Sequence, residues 1–162
     1  MPPSIGDHGE IEWNEEAEHS VNFFSEDIDF ELTDEDRIRE WIGKALQQEG
    51  KTPAAITYIF TSDAYLHRMN VDYLDHDTLT DVITFPYSDA DATAIEGDIF
   101  ISIDRIRENA QQFEVDFEVE LRRVMAHGVL HLCGYLDKTP EEKKRMSAKE
   151  DEALGLWPEM SD

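Results

Sequence analysis

Residues 127–137 read His-Gly-Val-Leu-His-Leu-Cys-Gly-Tyr-Leu-Asp, and this stretch predicts a helix that ends in a metal site. His127 and His131 are four residues apart, which places both imidazoles on one face of a helix, one turn apart. Gly134 follows where a helix can end in a left-handed cap. Asp137 comes far enough round the turn to supply a third ligand.

The frame H-x3-H-x2-G-x2-D favours a metal site over the alternative, two partly buried histidines on an ordinary helix. Metzincin proteases place their ligands at the same offsets, H-E-x-x-H-x-x-G-x-x-H. Here Gly128 stands where the protease has its general base, and Asp137 stands where it has its third His. Asp is a zinc ligand, and three protein ligands leave a fourth position for water, as in catalytic zinc sites. We expect one Zn²⁺ per chain, with nickel or manganese as alternatives.

The composition predicts one cytoplasmic domain. The chain has 162 residues and 40% hydrophobic content, enough for a single core. It contains no apolar run of 18 residues and no signal-peptide pattern. Its one cysteine, Cys133, excludes an internal disulfide, fits a reducing compartment and is predicted to be a small core residue. We expect a poorly ordered acidic extension at 1–19, a single domain at 20–158 and a tail at 159–162.

The charge distribution is unusual. Thirty-eight acidic residues face fourteen basic ones, giving a net charge of −24. A charge this negative favours a protein from a halophilic host. The alternative explanation is an acidic tail added to an ordinary domain. Residues 122–149 nevertheless hold seven of the fourteen bases and only three acids. A phosphate-bearing substrate would explain a basic region around the metal frame, as would an exposed amphipathic helix of mixed charge.

The order of elements predicts an α+β fold, a small mixed β-sheet covered by helices with a metzincin-like metal-binding helix. The expected strands are Val21–Phe24, Ile28–Leu32, Ala55–Thr61, Val82–Phe85 and Gly97–Ile103. Helix starts are expected at Thr33–Asp36, Ser62, Asp104, Asp116 and Thr139–Glu142, with capping-box patterns at the first and the last of these.

Three sequence blocks together resemble the YbeY endoribonucleases, a family of rRNA maturation factors. Thr80–Pro86, T-D-V-I-T-F-P, is similar to that family's T-[DN]-V-[LI]-[ST]-F-P segment. Gly97–Ser102, G-D-I-F-I-S, is similar to its G-D-I-x-I-S strand, and His127–Asp137 to its H-G-x-L-H-L-x-G-Y-D-H motif. The resemblance spans about residues 20–156 in order and spacing.

By position, the resemblance implies that His127, His131 and Asp137 bind zinc. Asp137 stands where most members have His, and Leu136 stands where they have Asp. Leu74 occupies the place of the family's Arg in N-x-x-Y-R, which is implicated in RNA cleavage.

The implied function is zinc-dependent endonucleolytic cleavage of single-stranded RNA, in maturation of the small-subunit rRNA 3′ end and in ribosome quality control. His127 and His131 would act through the metal, and no general base is assigned. The implied partners are 16S-type rRNA, the small ribosomal subunit and, as a further candidate, an assembly GTPase. Neither DNA nor a membrane is expected to bind. The candidate substrate contacts are Arg122, Arg123, Lys138 and the loop residue His76.

Two other functions remain open from the sequence. One is a metal-dependent hydrolase of another substrate, such as a peptide, for which Glu120, two helical turns before His127, could supply a base. The other is a non-catalytic ribosome-assembly factor in which the metal stabilises the fold, and Leu74 is its best support.

Overall fold

The computed structural model describes residues 20–74 and 80–159 and shows the predicted α+β fold. The extension 1–19 and the candidate contact His76 lie outside the described residues. The elements in chain order are β1 (Val21–Ser25), α1 (Glu35–Gln48), β2 (Thr52–Thr61), α2 (Asp63–Leu74), β3 (Val82–Pro86), β4 (Ala94–Ser102), α3 (Ile103–Phe113), α4 (Phe117–Leu132) and α5 (Pro140–Glu159).

The sheet has four strands in the order β1-β2-β4-β3. Strands β1, β2 and β4 run parallel, and β3 pairs antiparallel with β4 at the edge. The central strands β2 and β4 bury mainly one face, on which apolar side chains recur at every second residue. The large apolar side chains that are fully buried on this face are Ile56, Tyr58, Phe60, Ile95, Ile99 and Ile101.

The last two helices complete the core and carry the predicted metal frame. The indole Nε1 of Trp41 in α1 donates a hydrogen bond of 2.8 Å to the carbonyl of Ala153 in α5. The phenol of Tyr58 in β2 donates one of 2.9 Å to the carbonyl of Met125 in α4. These bonds satisfy buried polar groups inside an apolar core. They also link α5 and α4 to the layers beneath them.

Helix α4 approaches strand β4 closely because glycines occupy the contact. A Cβ on Gly128 would lie 2.7 Å from Cγ2 of Ile99, and one on Gly97 would lie 2.8 Å from Cδ2 of Leu132. Each approach is too short for a side chain. Gly128 therefore serves helix-to-sheet packing, which explains why no glutamate base stands after the first histidine.

Two predicted helix caps are confirmed by their hydrogen bonds. The amide of Tyr65 donates to Oγ of Ser62 over 3.2 Å at the start of α2. At α5, Thr139 and Glu142 form a capping box: the Glu142 amide donates to Oγ1 of Thr139 over 3.1 Å, and the Thr139 amide to Oε1 of Glu142 over 3.0 Å.

Three local predictions were wrong. Residues 28–32 form bends and irregular backbone, not a strand; their alternating apolar side chains Ile28, Phe30 and Leu32 pack on the core without strand pairing. Helix α1 begins at Glu35, within the predicted start at Thr33–Asp36, but Asp34 is left-handed, with φ 59°, and makes no side-chain cap bond, so the predicted capping-box pattern is not formed there.

The third error concerns α3, which Ser102 caps, not Asp104. Oγ of Ser102 accepts a bond of 3.1 Å from the Arg105 amide. Asp104 instead accepts a bond of 2.9 Å from the Asp63 amide at the start of α2. The tertiary packing of α2 beside α3 thus gives the Asp104 carboxylate a different partner.

None of the helices in residues 20–74 and 80–159 combines the length and apolar content needed to cross a bilayer.

Candidate metal centre

Helix α4 ends in a turn that brings Asp137 back to the two histidines. The Tyr135 amide donates to the Leu130 carbonyl over 3.0 Å, and the Gly134 amide to the His131 carbonyl over 2.9 Å. These two bonds, with φ 105° at Gly134, define a Schellman motif, in which a left-handed residue reverses the chain. The predicted glycine cap is confirmed.

The three predicted ligand residues meet at one point. Oδ2 of Asp137 lies 3.2 Å from Nε2 of His127 and 3.3 Å from Nε2 of His131. One ligand atom from each residue lies within 4.8 Å of the others. In a tetrahedral zinc site with bonds of 2.0–2.1 Å, ligand atoms are about 3.3 Å apart. His127, His131 and Asp137 could therefore hold a metal ion.

The donor set also leaves room for a further ligand. The side chains of His127, His131 and Asp137 are 21%, 22% and 37% exposed, and all three line one cleft. Two imidazole nitrogens and a carboxylate oxygen suit zinc and leave a tetrahedral position open. Because the three residues line the cleft, a substrate in the cleft could reach an ion that they held.

Each imidazole also has a polar contact at Nδ1, the ring nitrogen that does not face Asp137. His131 Nδ1 lies 2.9 Å from the carbonyl of Tyr135, and His127 Nδ1 lies 2.6 Å from Oε2 of Glu150 in α5. Burial acts to lower the pKa of His127, but the hydrogen bond and charge of Glu150, with the charges of Asp137 and Asp81, outweigh burial and raise it. A proton and a metal ion therefore compete for His127.

The cleft beside the three residues has a volume of about 350 Å³. The end of α2, the segment around β3 and the α4 histidines form its walls. The described lining residues contain no Lys or Arg, and Leu74 lies where the family pattern has Arg. The lining residues are Asn70, Leu74, Thr80, Asp81, Val82, Ile83, Thr84, His127, His131 and Asp137.

The structure does not bring the predicted basic contacts together at this cleft. The Arg122 guanidinium stacks on the ring of Trp157, 4.2 Å from its centroid, and lines a different groove. Arg123 pairs with Glu150 and Asp151 at 2.8 and 2.5 Å. Lys138 is exposed and follows Asp137 directly. Arg122 and Arg123 thus have structural partners, and neither lines the cleft.

Three acidic residues lie near the histidines, and of these only Glu120 was considered as a site residue from the sequence. Asp81 lines the cleft, and burial raises its pKa although the charge of His127 opposes the shift. Glu120 is 5% exposed; burial, followed by the charge of Asp81, raises its pKa to about 7. Glu150 is also buried, at 7%. Glu120 does not line the cleft, so it is not placed as a base for a substrate there.

A sequence signal for Glu150 exists but is weak. On α5, Met146, Glu150 and Ala153 follow helical spacing, and all three are buried. A glutamate within an apolar stripe needs a buried partner. The pattern does not say which residue supplies it.

Cys133 is a small residue at the edge of the core, as predicted. It packs partly buried against the core, and burial, followed by the charge of Glu49, raises its pKa to about 11. Such a thiol is mostly protonated at neutral pH and has little ligand or nucleophile character.

Comparison with known proteins finds relatives over most of the chain. The family model described as Endoribonuclease YbeY matches residues 20–157. An Endoribonuclease YbeY from Flavobacterium psychrophilum is 52% identical over 134 residues, covering 83% of this chain and 94% of that protein. One from Cytophaga hutchinsonii is 49% identical over 139 residues, covering 86% and 96%. The solution structure of TM1509 from Thermotoga maritima has a TM-score of 0.57 and 25% identity, covering 88% of this chain and 97% of that one.

Proposed function

Because the chain belongs to the YbeY endoribonuclease family, we propose that it is a zinc-dependent endoribonuclease that cleaves single-stranded RNA. The observation that carries the proposal is the convergence of His127, His131 and Asp137 on one point at the wall of an open cleft. Three protein ligands with an open side match the catalytic rather than the structural kind of zinc site.

The residues of the cleft have separable roles in this proposal. His127, His131 and Asp137 would hold the ion, which when bound acts as a Lewis acid on a phosphoryl oxygen and lowers the pKa of water. Asp81 is the other titratable side chain among the described lining residues. Its raised pKa brings it closer to a pH at which it can both accept and release a proton. We assign it to proton transfer from the attacking oxygen, either of water or of the RNA 2′-hydroxyl.

The biological substrate is proposed from the family resemblance. We propose maturation of the 3′ end of small-subunit rRNA and ribosome quality control, with the small subunit and an assembly GTPase as partners. The net charge of −24 and the absence of Lys and Arg from the described cleft lining weaken any purely electrostatic attraction to RNA. Recognition would depend on shape and base contacts, which tolerate salt better than phosphate contacts do.

The test is cleavage of a labelled single-stranded RNA in high salt by wild type, His131→Ala and His67→Ala. His67 lies on α2 outside the three-residue cluster, so its variant controls for loss of a histidine. We expect His131→Ala to lose metal and cleavage together, with His67→Ala unchanged. Full cleavage by a variant verified to be metal-free would contradict the proposal.

A second candidate function is a non-catalytic assembly factor with a structural metal. Leu74 in the cleft wall, in place of the family's Arg, favours it. Under this alternative, metal removal lowers the melting temperature, while wild type produces no RNA fragments above a no-protein control. Metal-dependent multiple turnover by wild type would exclude it.

A further inference from the structure

A buried carboxylate behind the candidate metal centre has a geometry that suggests a specific role. Glu150 lies in the middle of α5, and its side chain is 10% exposed. Its neighbours on the same helix face, Met146 and Ala153, are apolar and buried. A carboxylate at such a position is costly unless it is paired and hydrogen-bonded. Each of its two oxygens has a partner, and both partners lie on α4.

The first partner compensates the charge. Nη1 of Arg123 donates to Oε1 of Glu150 over 2.8 Å, and Nη2 of Arg123 donates to Oδ1 of Asp151 over 2.5 Å. One guanidinium thus holds two successive acidic residues of α5. This limits the positions that the Glu150 carboxylate can take.

The second partner is His127, one helical turn after Arg123. Oε2 of Glu150 lies 2.6 Å from Nδ1 of His127. An ionised carboxylate can only accept a hydrogen bond, so Nδ1 must carry the proton. In the neutral imidazole the lone pair is then on Nε2, the atom 3.2 Å from Oδ2 of Asp137. The contact therefore selects the tautomer that a metal ligand needs.

The two histidines reach the same tautomer by different means. His131 Nδ1 lies 2.9 Å from the Tyr135 carbonyl, a backbone group that no side-chain substitution removes. His127 depends on the side chain of a different helix, 23 residues further along the chain. A carboxylate acceptor also makes an imidazole a stronger ligand than a carbonyl acceptor does. Altering Glu150 should affect one ligand and leave the other intact.

We propose that Glu150 is a positioning residue for the metal site: it orients His127 and selects its Nδ1–H tautomer, and Arg123 holds Glu150 in place. This inference rests on the proposed metal-dependent function. It extends that function by giving α5, which supplies none of the three candidate ligands, a direct part in metal affinity.

The test compares Glu150→Ala and Glu150→Gln with the matched control Asp151→Asn. Asp151 also pairs with Arg123 but does not contact His127, and its side chain is 68% exposed. Zinc affinity is measured by competition with a chelating dye. We expect a loss of about 10- to 100-fold for Glu150→Ala, a smaller loss for Glu150→Gln, which keeps an acceptor oxygen, and little change for Asp151→Asn.

A second readout separates positioning from mere stability. Long-range ¹H–¹⁵N NMR of the metal-free protein, at a pH where His127 is neutral, reports which ring nitrogen carries the proton. Wild type and Asp151→Asn should show Nδ1–H at His127, whereas Glu150→Ala should show a mixture, with His131 unchanged in all proteins. If Glu150→Ala does not fold, Glu150→Gln and Arg123→Gln provide the same comparison.

Wild-type zinc affinity together with an unchanged His127 tautomer in Glu150→Ala would overturn the proposal, even if the melting temperature fell. The NMR result does not depend on RNA cleavage. If wild type proved not to cleave RNA, the proposed function would fail while the role of Glu150 was still decided on the metal-free protein.

Discussion

Oδ2 of Asp137 lies 3.3 Å from Nε2 of His131, although the two residues are six positions apart and the chain reverses between them. His131 is near the end of α4, and Asp137 follows the left-handed turn at Gly134. The third candidate ligand is therefore positioned by backbone hydrogen bonds at the helix end.

Replacing Asp137 should remove metal binding without unfolding the domain. Asp137→Ala takes away the oxygen donor and leaves two imidazoles, so we expect zinc affinity to fall by at least about 10-fold. Metal content per chain after purification in high salt measures this. Asp36→Ala is the control, because Asp36 is fully exposed on α1 and pairs with Arg39. Equal metal content in both variants would show that Asp137 is not a ligand.

Alanine at Gly134 should destabilise the turn that carries Asp137. The residue has φ 105°, and a Cβ there would lie 3.1 Å from Cβ of Ala90. We expect a loss of about 1–2 kcal/mol in the free energy of unfolding, measured by urea denaturation, together with weaker zinc binding. Gly155→Ala on α5 meets no atom within 4 Å and should be neutral or stabilising. Equal stability of the two variants would contradict this account of the turn.

Alanine at Gly128 should disturb the packing of α4 on the sheet. Its Cβ would lie 2.7 Å from Cγ2 of Ile99, so either α4 or Ile99 must move. Overpacking of this kind costs about 1–3 kcal/mol, and thermal unfolding would report it as a lower Tm. Gly43→Ala on α1 has open space and serves as the control. If Gly128→Ala were as stable as the control, α4 and Ile99 would accommodate the added methyl group without loss of stability.

Neutralising Glu120 should stabilise the metal-free protein at alkaline pH. Its pKa is raised to about 7 in the folded state from 4.5, so the folded protein holds this proton more tightly than the unfolded chain does. The associated stability is complete below about pH 4.5 and is lost as the pH rises through about 7. We expect Glu120→Gln to exceed wild type by on the order of 2 kcal/mol at pH 8, with little difference at pH 4.5. Urea unfolding of both proteins at the two pH values is the measurement. A difference that did not change with pH would contradict the shifted pKa of Glu120.

Arginine at Leu74 should strengthen RNA binding and make it more dependent on salt. Leu74 lines the cleft, is 42% exposed and stands at the family's Arg position. One added phosphate contact on single-stranded RNA should steepen the slope of log K against log salt by about 0.7, measured by fluorescence anisotropy. Phe24→Arg adds the same charge at the end of β1, on the far edge of the sheet from β3, and should not change the slope. Equal slopes for the two variants would indicate that RNA does not enter this cleft.

Sequence patterns were most reliable where local geometry decides the outcome. Helical spacing at His127 and His131, the glycine cap at Gly134 and the capping box at Thr139 all depend on residues within one or two turns. Each of these features was predicted and is present in the structure. Asp104 was wrongly predicted to cap its own helix, because its carboxylate accepts a hydrogen bond from the Asp63 amide of the neighbouring helix α2.

The sequence by itself determined the α+β class, the family and three residues able to hold a metal ion, since each follows from local spacing or from motifs. Tertiary structure alone decided which charged residues surround that site. Arg122 stacks on Trp157 instead of lining the cleft, Arg123 is bound by two acids of α5, and Glu150 reaches His127 across a helix interface. The physical reason is that a charged side chain takes the partner that packing places within hydrogen-bond distance, and no spacing along the chain encodes a contact between separate helices.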